Sequence, residues 1–317
     1  MREVLAAAAE RLDRDSNTDG RFAKEPLVEA SIRTAIGRTY RKLGEYQPAE
    51  PHLRRALALR RSVLGPEHPQ TWWAMHELGL LEYDMSRLAQ AESLLVGVYE
   101  RSRLHLGPEN ADVLSVEMRV ANLYRKQGRF KEAEPIYVHN LDARRRSYGD
   151  ESASTLDAAV ALANLYQETG RYEQAEPLHR QVMETYRRTL GETDLATVTA
   201  TTNLANDLAL LGRFEDAEPL MKLVLDQKVE LYGPDHPTTA QQREQSRGTE
   251  RSARAGRRGR GVPPPGARRT HPCARGAACA HPTVAEVPGG QPGQPEALCR
   301  GRALGRRRRP ERHPGPR

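Results

Sequence analysis

The stretch Ala121-Asn122-Leu123-Tyr124-Arg125-Lys126-Gln127-Gly128-Arg129-Phe130-Lys131-Glu132-Ala133-Glu134-Pro135 decides how this 317-residue chain is read. It holds the end of one amphipathic helix, a break, and the start of another. Upstream of the break, Val113, Val116, Val120, Leu123 and Tyr124 fall on one helical stripe; downstream, Ala133, Ile136, Tyr137 and Leu141 fall on a second. Gly128 is the residue tolerant of positive φ that ends the first helix, and Phe130 opens the next. Two helices joined by so short a turn lie antiparallel, and one such pair cannot cover its own apolar face.

Outward from this stretch the hairpin recurs. Ala-Glu stands at 49/50, 91/92, 133/134, 175/176 and 217/218, each 42 residues after the last. Gly65, Gly107, Gly149, Gly191 and Gly233 keep the same step, and so do Gly44, Gly128, Gly170 and Gly212, with Ser86 interrupting that series. Five repeats follow, with first helices expected near 26–43, 69–85, 111–127, 153–169 and 195–211. Second helices are expected near 46–63, 88–106, 130–148, 172–190 and 214–232. Segments such as Gly65-Pro66-Glu67-His68-Pro69 end one second helix and start the next first helix. Small residues recur where paired helices must approach: Gly37, Gly79, Ala121, Ala163 and Ala205, and Ala49, Ala91, Ala133, Ala175 and Ala217. A larger side chain there costs roughly 1–3 kcal/mol. The organisation expected is a helical lead-in over 1–25, five repeats plus the start of a sixth over 26–240, and a disordered Arg/Gly/Pro/Ala-rich tail over 241–317.

Charge and cysteine separate the last two regions. Residues 241–317 carry 18 Arg, no Lys and 5 Asp or Glu, a balance of +13 within a whole-chain charge of +7, which leaves −6 for residues 1–240. Cys273, Cys279 and Cys299 all lie in the tail, so the repeats hold neither a disulfide nor a Cys-ligated metal. No apolar run approaches the ~18 residues of a membrane span, and the start of the chain is too charged for a secretory signal, so a cytoplasmic protein without membrane partners is expected.

The quoted stretch, together with Gly65-Pro66-Glu67-His68-Pro69 and Gly233-Pro234-Asp235-His236-Pro237, resembles the tetratricopeptide repeat family in its 42-residue form, found in kinesin light chains and many bacterial regulatory proteins. The likeness spans roughly residues 26–240. The segments Ala7-Ala8-Ala9-Glu10-Arg11-Leu12-Asp13 and Ala35-Ile36-Gly37-Arg38-Thr39-Tyr40-Arg41-Lys42-Leu43-Gly44 are also similar to the repeat region of bacterial serine/threonine kinases, although no kinase signature is present. The resemblance implies an all-α, right-handed superhelix acting as a scaffold that binds a partner peptide or domain in its concave groove. A detached or truncated repeat region of a kinase-like protein is the alternative. In that family one face of each first helix points inward. Here it would carry Thr34, Arg38 and Arg41; Trp73, His76, Leu80 and Tyr83; Met118, Asn122 and Arg125; Val160, Asn164 and Gln167; Thr202, Asn206 and Ala209. Arginines and amides beside aromatics suit an extended or helical peptide, with acidic groups drawn to Arg38, Arg41 and Arg125. Where the family often has paired asparagines before the small residue, only Asn203 remains.

No phosphate-binding loop, His-Glu-x-x-His or Gly-x-Ser-x-Gly motif is present, so no catalysis, cofactor or metal is expected. Glu50, Glu92, Glu134, Glu176 and Glu218 open the second helices, where the helix dipole favours negative charge. His68 and His236 belong to turns beside prolines, and of Trp72 and Trp73 one is expected between repeats and the other toward the groove.

The tail admits three readings. Arg257-Arg258-Gly259-Arg260-Gly261 and Arg306 to Arg309 could contact a polyanion, though no aromatics stand ready for base stacking, so nucleic acid is disfavoured. An inert linker is the second. The preferred reading is a shifted reading frame, because Arg without Lys beside Gly, Pro and Ala is what GC-rich codons yield out of register. Slid one nucleotide forward, the codons for Gln245-Ser246-Arg247 permit Asn-Leu-Ala, 42 positions beyond Asn203-Leu204-Ala205. Those for Arg254-Ala255 permit Gly-Arg, 42 beyond Gly212-Arg213, and Gly259-Arg260 and Gly301-Arg302 permit Ala-Glu. On that reading Leu223 and Val224 of the last second helix lack a covering partner, and self-association through that uncapped end is expected.

Overall fold

The computed structural model of the protein describes residues 2–17 and 24–257. Twelve helices and no strand occur among the described residues. They are α1 (Arg2–Asn17), α2 (Pro26–Lys42), α3 (Tyr46–Leu64), α4 (Pro69–Asp84), α5 (Leu88–Leu106), α6 (Ala111–Lys126), α7 (Phe130–Tyr148), α8 (Ala153–Glu168), α9 (Tyr172–Leu190), α10 (Leu195–Leu210), α11 (Phe214–Tyr232) and α12 (Pro237–Arg257). Helices α2 to α11 are the five expected hairpins, each boundary within a residue of the sequence reading. Every helix packs chiefly on its neighbours in sequence, so the array is a stack in which the core passes from hairpin to hairpin.

Four of the five first helices, α4, α6, α8 and α10, and also α12, start at a dedicated side chain, whereas α2 has none. Asn110, Ser152 and Asp194 accept the amide hydrogens of Asp112, Thr155 and Ala196 at 2.9, 3.2 and 2.8 Å. His68 and His236, in the same 42-residue series, do so through Nδ1 for Gln70 and Thr238. The turn histidines are therefore N-caps. At the other end of the hairpin Ser86 takes φ 59° where Gly44, Gly128, Gly170 and Gly212 take 75–76°.

The small-residue rule holds at close range. A Cβ on Gly37 would lie 2.6 Å from Leu53 Cγ, and one on Gly79 would lie 2.9 Å from Leu95 Cγ. Later hairpins have Ala121, Ala163 and Ala205 in place of glycine, and Tyr137, His179 and Met221 in place of the leucines. Planar or unbranched side chains leave room for the methyl group that a γ-branched leucine does not. Trp72 fills the space between repeats at 1 % exposure.

Glutamates that open the second helices do more than answer the helix dipole. Each reaches the arginine preceding the next hairpin's second helix, 37 residues on: Glu50–Arg87 at 2.9 Å, Glu92–Arg129 at 2.7 Å, Glu134–Arg171 at 2.7 Å and Glu176–Arg213 at 3.6 Å. Arg129 and Arg171 also lie over the Tyr124 and Tyr166 rings. The pairs are partly exposed and solvent screening leaves each only weakly stabilising, but they recur at one step and register successive repeats against each other. Glu218 would meet position 255 in this series, where the chain has alanine.

At the C-terminal end the structure departs from expectation. The helix that begins at Pro237 runs to Arg257, past the boundary set at 240, and packs along α11. Thr239, Gln242, Ser246, Thr249 and Ala253 turn inward on it, and Val224 is fully buried. The end of the fifth repeat is therefore capped, and the uncapped apolar face on which self-association was expected is absent. Leu223 stays exposed. Periodicity missed the cap because its inner face is polar: Ser246 stands where α10 has Leu204 and α8 has Leu162. The disorder, cysteines and arginine runs expected beyond Arg257 lie outside the described residues.

Candidate partner-binding groove

First helices form the inner layer. Helices α2 and α4, and α4 and α6, touch across the repeat boundary, whereas the second helices beside them approach less closely, so this part of the array curves with the first helices on its short side. Side chains spaced three and four along those helices share the inward face.

The expected groove residues lie on this layer, but several are already engaged. Arg41 pairs with Asp84 at 2.9 Å and Arg125 with Glu168 at 2.5 Å, each one repeat plus one residue away. Arg38 lies 3.3 Å from Glu77. The three arginines named for acid recognition thus act as struts between successive first helices, with their charge largely answered. Tyr83 sits under Lys126, whose Nζ is 4.4 Å from the ring centre and donates to the Tyr83 carbonyl. Asn122 accepts the Tyr137 hydroxyl at 2.6 Å. Trp73 is half-buried, edge-on to His76, and lines the groove while Trp72 is buried.

His76 is held neutral, its pKa lowered to about 4 by burial and then by the positive charges of Arg119, Arg41 and Arg38. Arg119 itself is exposed and has no ion-pair partner among the described residues. Beside it Arg41, Leu80, Tyr83, Asp84 and Asn122 enclose a small cleft of about 110 Å³.

Further along, Asn164, Asn203 and Asn206 are half-buried, and their amides make no hydrogen bond to another described residue. Gln167 instead donates to Asp207. Asp207 is fully buried and faces the equally buried His179, with Oδ2 and Nδ1 2.6 Å apart. Asp207 occupies the position of Leu165 and Leu123, so this polar pair interrupts the repeat's apolar pattern, a signal visible in the sequence but passed over there. His179 Nε2 has no hydrogen-bond partner, so the pair has no hydroxyl or thiol to activate. A second buried carboxylate, Glu117, accepts from Tyr99, His139 and Asn140 at 2.8–2.9 Å. Burial, reinforced by Glu117, pushes the Tyr99 hydroxyl up to about 12. Among the described residues no group of three or more metal-ligating side chains comes together, and no helix is long and apolar enough to cross a membrane.

One set of residues escaped the sequence reading. The second helices send Arg60, Ser102, Arg144, Tyr186 and Lys228, again 42 residues apart, toward the first-helix layer. Arg60, Thr34, Arg38, Gln70, Trp73 and Glu77 line an open cleft of about 300 Å³.

Models of the tetratricopeptide repeat match residues 28–102 and 112–188, and a further one matches 197–238, together more than half of the chain. The chain is a tetratricopeptide repeat protein. No curated protein matches it. Among solved structures, nearly identical TPR-like repeats assigned to a kinesin light chain of Podosopora anserina superpose with a TM-score of 0.59 at 23% identity, covering 66% of this chain and 98% of that one. BtubC (BKLC) from P. vanneervenii gives 0.60 at 20% identity, covering 74% and 92%. A STAND ATPase with a tetratricopeptide repeat sensor, PH0952 of Pyrococcus horikoshii, gives 0.56 at 15% identity over 79% of this chain and 40% of that one. These likenesses establish the tetratricopeptide solenoid fold.

Proposed function

We propose that this tetratricopeptide protein is a scaffold that holds a partner protein by a peptide segment laid along the inner face of its first helices. The observation that carries the proposal is the unused amide set on α8 and α10. Asn164, Asn203 and Asn206 are half-buried without an intramolecular partner. Each amide offers two donors and an acceptor, the complement of a peptide backbone. Trp73 and Tyr83 supply aromatic surface further along the same layer. Binding rather than a reaction is assigned to the groove.

The test is selection of binders from a displayed random 12-residue peptide library, followed by affinity measurement on the Asn164→Ala/Asn206→Ala protein. Losing two backbone-directed bonds of about 1 kcal/mol each weakens the selected peptides roughly 10- to 30-fold. A control, Glu173→Ala/Glu215→Ala, alters two exposed residues at the starts of second helices. Equal affinity for both variants and for the parent protein refutes the groove reading.

A second reading, as the sensing arm of a larger signalling protein, takes its support from the match to the repeat sensor of PH0952. The detached kinase-regulatory variant belongs to the same class. A groove that binds its segment tightly in isolation serves either role.

A further inference from the structure

Across the first three repeat boundaries, successive first helices are tied by side chains 43 residues apart. Arg41 pairs with Asp84, Lys126 lies over Tyr83 and donates to its carbonyl, and Arg125 pairs with Glu168. The next two positions of this series hold Gln167 with Leu210 and Ala209 with Ser252, which carry no charge and form no such tie. Gln167 turns instead to the buried Asp207. All four residues line one cleft of about 450 Å³, bounded by α8, α10, α11 and α12.

The void has a second cause. Gly248 stands on α12 where α8 and α10 have Asn164 and Asn206, and a Cβ added to it meets nothing within 4 Å. Ala209, Leu210, Phe214 and Met221 give the cleft its apolar surface, and none of its ten lining residues carries a charge. By contrast, the cleft beside Trp73 contains Arg38, Arg60 and Glu77, and the one beside Tyr83 contains Arg41, Asp84 and Arg119. A mostly apolar hollow of this size holds water poorly and suits a small molecule. A charged molecule would lose hydration there with no lining group of opposite sign to answer it.

We infer that this cleft binds an uncharged, largely apolar small molecule, with the Asn206 amide meeting a hydrogen-bonding group on it. Asn206 is half-buried, lines the cleft and makes no hydrogen bond to another described residue. A fused or linked ring system with one amine, hydroxyl or carbonyl fits both the volume and the lining. Seated there, it touches α10, α11 and α12 together and takes the place of the missing tie. The inference goes beyond the scaffold reading and does not depend on it, since dye binding reports on the cleft and selected peptides report on the groove.

The probe is N-phenyl-1-naphthylamine, an uncharged dye whose fluorescence rises in apolar surroundings, titrated into the full chain. Its counterpart is 8-anilinonaphthalene-1-sulfonate, the same ring system with a negative charge. Gly248→Leu fills the cleft from α12 while placing a better helix former there, and Arg247→Leu adds the same side chain at an exposed position outside the cleft. The expected result is saturable binding of one neutral dye per chain, weakened roughly tenfold or more by Gly248→Leu and less than about twofold by Arg247→Leu. The sulfonate binds the parent roughly tenfold or more weakly than the neutral dye. Bound dye shifts the Met221 methyl resonance and leaves those of Met75 and Met85 in place, a readout that needs no variant. No saturable binding, equal binding by Gly248→Leu, an equally tight sulfonate, or shifts at Met75 or Met85 without Met221 each overturn the inference. If selected peptides depend on Asn164 and Asn206 while the parent fails to bind the dye, the scaffold reading stands and this one falls. If Gly248→Leu blocks the dye while selected peptides ignore the asparagines, the converse holds.

Discussion

Gly37→Ala would ordinarily stabilise a helix, since alanine is favoured over glycine by about 1 kcal/mol in a helix interior. Here the added Cβ lies 2.6 Å from Leu53 Cγ, 2.7 Å from Leu53 Cδ2 and 3.3 Å from the Ala49 carbonyl oxygen. Leu53 is 1 % exposed and has no free volume to enter, so α2 and α3 must separate or the leucine must leave its rotamer. Overpacking of this kind costs about 1–3 kcal/mol, centred near 2, which outweighs the propensity gain and leaves a net loss of about 1 kcal/mol. For an array of this size that is a fall in melting temperature of roughly 2–4 °C by circular dichroism. The later hairpins provide the rescue, since Met221 stands opposite Ala205 at the corresponding positions. Leu53→Met should cost under about 1.5 kcal/mol alone, yet restore most of the stability of Gly37→Ala. A double-mutant cycle would then give a coupling of about 1 kcal/mol or more. Gly37→Ala melting above the parent, or additivity of the two changes within ~0.3 kcal/mol, would refute the steric account.

Two further perturbations test local features. Ser86 occupies the left-handed region at φ 59° where the other repeats have glycine, and L-residues pay roughly 1 kcal/mol there, so Ser86→Gly should raise the melting temperature by a few degrees; a fall would show that the serine side chain is required. His76 has a folded-state pKa of about 4 against 6.5 in the unfolded chain, so between those values the unfolded chain binds a proton that the folded one does not. Its contribution to stability is complete above pH 6.5 and is lost as pH falls toward 4. Its ring resonances should stay those of the neutral form down to about pH 5, and His76→Gln should flatten the acid limb of stability against pH; titration near 6.5 would contradict the buried, arginine-ringed environment.

Much of the fold was legible because the repeat prints its geometry on the chain several times over. The Ala-Glu and glycine series gave the period, the apolar stripes gave the helices, and the small-residue series marked the helix contacts. Ser86 was visible as the gap in a glycine series, and the structure supplied its cost in backbone strain. The cap α12 was not legible, because thresholds of apolar periodicity pass over an inner face of Thr239, Gln242, Ser246 and Thr249. Of the expected groove, the placement of Trp73, Asn164 and Asn206 on first helices followed from counting along the chain. The pairing of Arg38, Arg41 and Arg125 did not, because their partners are 39 or 43 residues away, a distance set by how successive repeats stack.

The sequence alone determined that this chain is an all-α array of 42-residue hairpins with turns and close contacts in register, since each of those depends on residues near one another along the chain or on the repeat itself. Tertiary structure decided which charges are spent and which are left. Whether an arginine meets a carboxylate depends on the stagger between repeats and on how far a second-helix side chain reaches through the first-helix layer. That is why the arginines most prominent in the sequence are struts, while Arg60, Arg144 and Lys228 are half-buried without a carboxylate at ion-pair distance among the described residues.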